Sequence, residues 1–149
     1  MDFGVAVPTI DSSVSMRILS SFKETRRSGE KIFSKPKSII GDIEVNDIEN
    51  ALIYGFIMCY AQGLSQLKIT SEEKKYDLNY EEICKIWRGG CIIRAKLLEK
   101  FMFAFKKNPD LVNLIFDSEI SQMIKEKDSY ARKVSVYSIN NKIPSLALN

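Results

Sequence analysis

Three cysteines, no histidine and 22 basic side chains set the chemistry that this chain can attempt. Cys59, Cys84 and Cys91 form no CxxC pair, and with no imidazole to join them the pattern argues against a zinc site. Cys91 as a nucleophile needs a base to draw off its proton, and no such base is identifiable. Apolar neighbours and an odd count suit buried thiols in a reducing compartment. Glu72-Glu73 and Glu81-Glu82 are adjacent carboxylates, and adjacent positions on a helix point to different sides, so neither pair makes a catalytic dyad. Gly89-Gly90 belongs to no GxGxxG or Walker pattern and is not a phosphate cradle. The arginines remain. A guanidinium can donate two parallel hydrogen bonds to a dianion. On residue type alone Arg17 is first a surface helix arginine and only then an anion ligand. Arg88 and Arg94 are better read as partners for helix-end carbonyls or for acids such as Glu99. The sequence therefore offers no catalytic group and no metal ligand set.

The segment Ile86-Trp87-Arg88-Gly89-Gly90-Cys91-Ile92-Ile93-Arg94 organises the rest. It holds the only tryptophan and the only Gly-Gly pair. Two glycines within helical sequence cost about 1 kcal/mol each relative to alanine. The expected compensation is a left-handed turn, or backbone packed too closely for a Cβ. An indole before them and β-branched residues after them predict a buried corner.

Around this corner the periodicity is helical throughout. Residues 1–10 read as an extended lead-in. Asp11 is the expected N-cap of a helix over residues 11–34, with Val14, Ile18, Leu19 and Phe22 inward, Gly29 a weak point and Pro36 the stop. Asn46 and Glu49 have capping-box spacing for a helix over residues 46–71. Ile48, Leu52, Phe56, Cys59, Leu64 and Leu67 give its main face, and Gly55 and Gly63 invite close neighbours. This helix is apolar nearly all round, as a bundle centre or an oligomer interface requires. Asn79 and Glu82 repeat the capping-box spacing and open a short helix to the Gly-Gly corner. A helix over residues 92–107 follows, with Ile93, Leu97, Leu98, Phe101 and Phe105 inward. A helical turn over residues 111–116 leads to Ser118, the expected cap of a last helix that reaches about residue 140. No period-two alternation appears, so the fold class is all-α, with five to six helices in a single domain over residues 1–149.

Composition excludes several classes of function. Hydrophobic residues make up 45% and charged residues 28%, which is ordinary for a globular domain. The net charge of +3 is too small to argue for nucleic-acid binding. Lys106-Lys107, Lys125 and Lys127 lack the interleaved aromatic platform of a single-strand binder. Charge is uneven, with seven basic and four acidic residues over 1–37, three and nine over 38–84, and twelve and six over 85–149. An acidic middle between basic flanks could help two copies dock. The longest apolar run, at residues 51–61, is well short of the ~20 residues of a membrane span. The first four residues carry no basic n-region of a secretory signal.

Six short segments in order carry a resemblance. Gly4-Val5-Ala6-Val7-Pro8-Thr9-Ile10 is similar to a GVPVTLI-type helix entry. Ser13-Val14-Ser15-Met16-Arg17-Ile18-Leu19-Ser20-Ser21-Phe22-Lys23 is similar to an AVFARCLSSLK-type segment. Tyr60-Ala61-Gln62-Gly63, Leu78-Asn79-Tyr80, the Trp87 corner and Asn108-Pro109-Asp110-Leu111 follow at the expected distances. Together they resemble the C-terminal helical region of the 6-phosphogluconate dehydrogenases, across nearly the whole chain.

The resemblance implies oxidative decarboxylation of 6-phosphogluconate to ribulose 5-phosphate with NADP, in the pentose phosphate pathway and gluconate utilization. It implies a cytoplasmic homodimer. Arg17 matches the family's substrate-phosphate arginine and is the one site residue that carries over. In the family the cofactor sits on an N-terminal Rossmann domain, and the substrate-binding and proton-transfer residues lie mostly just before the point where this sequence begins. A C-terminal tail supplies an arginine and a histidine to the partner's site. The chain is therefore expected to be a fragment, with no dehydrogenase activity alone, no cofactor of its own, and a role in the dimer core. The alternative is a non-catalytic helical module that dimerises through residues 46–71.

Overall fold

The helix ends explain most of the architecture. The structure, a computed structural model, describes residues 4–33 and 39–148. Among them are α1 (Pro8–Ser21), α2 (Lys23–Ile32), α3 (Val45–Lys74), α4 (Tyr80–Gly90), α5 (Leu97–Lys107) and α6 (Ser118–Asn140). Two 3-10 turns, Leu114–Phe116 and Leu146–Leu148, complete them, and no strand is present among the described residues. The all-α expectation holds. No helix of the described residues is long and apolar enough to cross a membrane.

The first expected helix is two. α1 begins at Pro8, where a missing N–H costs nothing because first-turn donors have no helical acceptor. Asp11 thus lies inside the first turn instead of capping it. α1 ends where the hydroxyls of Ser20 and Ser21 donate to the carbonyls of Arg17 and Ile18, each at 2.7 Å. Such bonds compete with the helical ladder. The Arg26 guanidinium then donates to the Ser20 carbonyl at 2.8 Å, and Phe22 leaves helical geometry at ψ 64°. α2 closes with the Phe33 N–H on the Gly29 carbonyl at 2.8 Å. The expected end at Ser34 and stop at Pro36 lie outside the described residues.

The chain divides by contacts into two compact units, Met1–Val7 with Ile57–Glu126, and Pro8–Phe56 with Lys127–Asn149. In the second unit, α3 does not open on an Asn46/Glu49 capping box. Asp47 instead reaches back to the Glu44 N–H at 2.9 Å. The buried positions here are Asp47, Ala51 and Gly55. Ile48, Leu52 and Phe56, expected inward, are exposed. Small residues face in because the tail lies close: a Cβ on Gly55 would stand 3.0 Å from Leu148 Cδ2. Gly63 has no such neighbour. Val14, Ile18 and Leu19 of α1 and Phe22 between α1 and α2 are likewise exposed, and α1 and α2 bury no residue. Asn141 is buried and fully engaged, bonding Ile40 through both its N–H and its carbonyl at 2.8 and 2.9 Å, and Tyr137 at 2.8 Å.

The first unit holds the larger core. Ile57, Cys84, Leu98, Phe101, Leu114 and Ile120 are fully buried. The Tyr60 ring meets the edge of Phe101 at 5.2 Å. α4 opens as expected, with Asn79 accepting from the Glu82 N–H at 3.1 Å. α6 is capped by Asp117 and not by Ser118: Asp117 Oδ1 accepts from Glu119 and Ile120 at 2.9 and 3.1 Å.

The Gly-Gly corner departs from expectation. Gly89 and Gly90 are the exposed last turn of α4. Neither has a positive φ, and a Cβ on either would meet nothing within 4 Å. Neither expected compensation operates within this chain. Trp87 is half-buried. Residues 91–96 form a turn closed by the Arg94 N–H on the Cys91 carbonyl at 3.1 Å, so α5 starts at Leu97 and not at residue 92. The Tyr60 hydroxyl donates to the Ile93 carbonyl and fixes this turn on α3. Ile93 is exposed and Ile92 is 102% exposed.

Burial separates these positions energetically. Phe101→Ala is expected to cost about 3–5 kcal/mol in urea unfolding, as a fully buried ring leaves a cavity. Ile92→Ala should change stability by less than about 0.5 kcal/mol, because it removes no packed atoms. Equal effects would contradict this packing.

Candidate functional site

Arg17 stands in the middle of α1, exposed, with Ser13 one turn before it and Ser20 and Ser21 one turn after. The flanking hydroxyls are turned to backbone: Ser13 donates to Thr9, Ser20 to Arg17 and Ser21 to Ile18, each at 2.7 Å. Nearby cations are committed. Arg26 holds the Ser20 carbonyl, and Arg27 stands 3.5 Å from Glu24. No ion pair seen among the described residues involves Arg17. Its fork is open to an incoming dianion.

The other candidates resolve toward structure. Arg88 donates from Nε and Nη2 to Glu99, both at 2.9 Å, and so ties α4 to α5. Arg94 is exposed on the turn after α4. Burial pushes the Cys84 thiol up to about 12, which keeps it protonated and inert at neutral pH. Burial also raises Cys59, and Cys91 donates to the Trp87 carbonyl at 3.2 Å. Among the described residues no group of three or more metal-ligating side chains is gathered. Glu82 pairs with Lys85 at 3.3 Å, apart from Glu81.

Sequence reasoning missed a cleft of about 650 Å³ between the end of α3, the start of α4 and the end of α5. Tyr80 and Phe105 form one wall, their rings 5.4 Å apart. Glu72, Asp77, Glu81 and Asp110 rim it, against the ammoniums of Lys68 and Lys75. Lys68 is spent on the Asp110 and Leu111 carbonyls at 3.2 and 3.1 Å. The acidic bias of residues 38–84 was the available signal, but the chain reversal that gathers it was not.

Comparison with known proteins decides the family. The model of the 6-phosphogluconate dehydrogenase C-terminal domain matches residues 1–149. This chain belongs to that family. It is 40% identical over 147 residues to 6-phosphogluconate dehydrogenase, decarboxylating, of Escherichia coli (strain K12), covering 97% of this chain and 31% of the relative. A relative from Oryza sativa subsp. japonica is 38% identical over 144 residues, covering 94% and 30%. The solved Plasmodium falciparum 6-phosphogluconate dehydrogenase superposes with a TM-score of 0.89 at 40% identity, over 97% of this chain and 32% of that one. That enzyme is described in apo form, with its cofactor NADP+ and with its substrate 6-phosphogluconate. The chain thus spans about a third of the length of the relatives it matches.

Within this helical domain of the 6-phosphogluconate dehydrogenase family, the ion pair that secures α3 is Lys133 to Asp47 at 2.5 Å, with Asp47 almost fully buried. The Lys133 ammonium and then the Glu44 N–H hold the Asp47 carboxyl below its usual range. The Asp47 carboxylate holds Lys133 above its usual range. A depressed acid stabilises above its unfolded pKa of about 3.9 and loses that contribution as pH falls through the folded value. A raised lysine stabilises below its unfolded pKa of about 10.4 and loses its contribution as pH rises through the folded value. The pair is therefore fully effective from about pH 5 to 9. Asp47→Asn should lower the unfolding midpoint at pH 7 and flatten the loss of stability below pH 5. An unchanged acid limb in thermal melts would show that Asp47 does not carry it.

Proposed function

We propose that this chain is the helical part of an NADP-dependent 6-phosphogluconate dehydrogenase, in which Arg17 binds the phosphate of 6-phosphogluconate. The observation that supports this most directly is the likeness to the Plasmodium falciparum enzyme over 97% of the chain. The reaction is oxidation and decarboxylation of the substrate to ribulose 5-phosphate. Arg17 takes no part in bond breaking. Its two parallel N–H groups match two phosphate oxygens, and holding that end fixes where the sugar carbons lie.

NADP supplies the hydride acceptor. The residues of this chain do not fit it: the described residues contain no strand, and the sequence contains no GxGxxG turn. On this reading the nucleotide is held by other parts of the enzyme, and the isolated chain reduces no NADP. Three free thiols suit a reducing compartment, and we read the location as cytoplasmic.

The same reading includes a homodimer. Ile48, Leu52 and Phe56 lie one turn apart on α3, all exposed, and form an apolar stripe that a second copy would cover. On this reading the contact lies on the N-terminal half of the helix at residues 46–71.

A chimera tests the assignment. Residues 1–149 replace the matching third of the Escherichia coli relative. The chimera should oxidise 6-phosphogluconate. Arg17→Ala within it should raise KM for 6-phosphogluconate roughly 10- to 100-fold, the worth of a lost charge-assisted hydrogen-bond pair, and leave KM for NADP unchanged. A chimera inactive although folded, or an Arg17→Ala variant with an unchanged KM, contradicts the reading.

A further inference from the structure

Arg17 can meet a phosphate only where α1 presents it, so the support under α1 matters to the site. Of the half-buried positions of α1, Thr9, Ser12 and Met16 recur at the spacing of one helix face. Arg17 follows Met16 and points about 100° further round the helix. Within the second unit α1 packs on the 3-10 turn Leu146–Leu148. Whatever fixes that turn therefore bears on the guanidinium.

The turn is fixed from three directions. After α6 the chain reverses at Lys142, whose φ is 55°. The Lys142 N–H bonds the Ile139 carbonyl at 3.2 Å and the Ile143 N–H bonds the Ser138 carbonyl at 2.8 Å, the pairing of a Schellman motif. This brings the chain back along the helix it has just left. The Leu148 N–H then closes the turn on the Ser145 carbonyl at 2.9 Å. The Leu148 carbonyl accepts from the Ser135 hydroxyl of α6 at 3.0 Å. Its side chain lies against α3, where a Cβ on Gly55 would stand 3.0 Å from Leu148 Cδ2. One residue thus holds α6 through its backbone and α3 through its side chain, and its turn bears α1.

We propose that Leu148, seated on Gly55 and Ser135, is a positioning residue for the substrate phosphate: it sets the place of α1 and through it that of Arg17. This rests on the reading of Arg17 as the phosphate ligand. A guanidinium fork needs orientation as well as charge to meet two phosphate oxygens. A displacement of about 1 Å can cost on the order of 100-fold in rate, so a contact this tight behind α1 is felt at the site. Glycine at position 55 is then a requirement of substrate binding, since any side chain there drives Leu148 off its seat.

A size swap in the full-length chimera with the Escherichia coli relative tests it. Gly55→Val should raise KM for 6-phosphogluconate roughly 5- to 10-fold and leave KM for NADP unchanged. Leu148→Ala should raise it in the same direction. The two together should recover most of the loss, because the atoms removed from the leucine make room for those added at position 55. On an Arg17→Ala background neither substitution should raise KM further, since the group being positioned is gone. A merely structural role would add its full effect there. Ser135→Ala adds no bulk and only deletes the bond to the Leu148 carbonyl, so it reads the same contact where Gly55→Val does not fold; it should raise KM for 6-phosphogluconate roughly 2- to 5-fold. Arg17→Ala without effect refutes the phosphate reading and this inference with it. An Arg17→Ala effect with Gly55→Val and Ser135→Ala both silent overturns the positioning role alone, as does a fully additive rise on the Arg17→Ala background.

Discussion

Unpaired backbone groups at helix ends are the constraint on which this structure turns. Each helix leaves about four donors at one end and four acceptors at the other without a ladder partner. Six helices among the described residues make that a large demand, and side chains meet it at several boundaries while the starts of α2 and α5 carry no side-chain cap. Asp47, Asn79 and Asp117 accept from first-turn or cap N–H groups. Ser20, Ser21 and Arg26 satisfy carbonyls at the end of α1. Asn141 performs the same service for Ile40 and Tyr137 after α6. The helices are where they are because these polar side chains stop and start them.

That constraint also shows why the sequence was partly legible. Helix existence followed from apolar period alone, and the all-α class needed nothing more. Boundaries did not follow, because several capping residues often stand within three positions of one another. Asn46 and Asp47 both suit the start of α3. What favours Asp47 is Lys133, 86 residues away, which no local pattern contains. Ser118 lost to Asp117 by one residue, since the Asp117 carboxylate takes the Glu119 and Ile120 N–H groups. Asn79 succeeded because its side chain accepts from the Glu82 N–H at the spacing the local pattern already contains.

Facing was right for Leu64, Leu98, Phe101 and Phe105, which are buried as expected, and failed in α1 and the first half of α3 for a different reason. Period analysis ranks positions by hydrophobicity and assigns the bulkiest stripe to the interior. In the first part of α3 the inward stripe is Asp47, Ala51 and Gly55, chosen for size, since the Leu148 side chain lies almost against the helix backbone. A large residue at position 55 would push the tail away. The bulky residues then face outward by default, and an apolar outward stripe is legible only as a surface awaiting cover.

The candidate site divides along the same line. Arg17 was found through a run of residues around it, not through any physical feature of its own: by type and spacing it is one exposed arginine among several. The structure adds what the sequence lacked, namely that Arg26, Arg27 and Arg88 are each engaged with a carbonyl or carboxylate of their own chain. An arginine locked to an internal partner must give up that bond before it can hold a phosphate, and the exchange returns little free energy. Arg17 differs from Arg27 and Arg88 in that no ion pair seen among the described residues involves it, so an anion arriving there would meet no competing carboxylate.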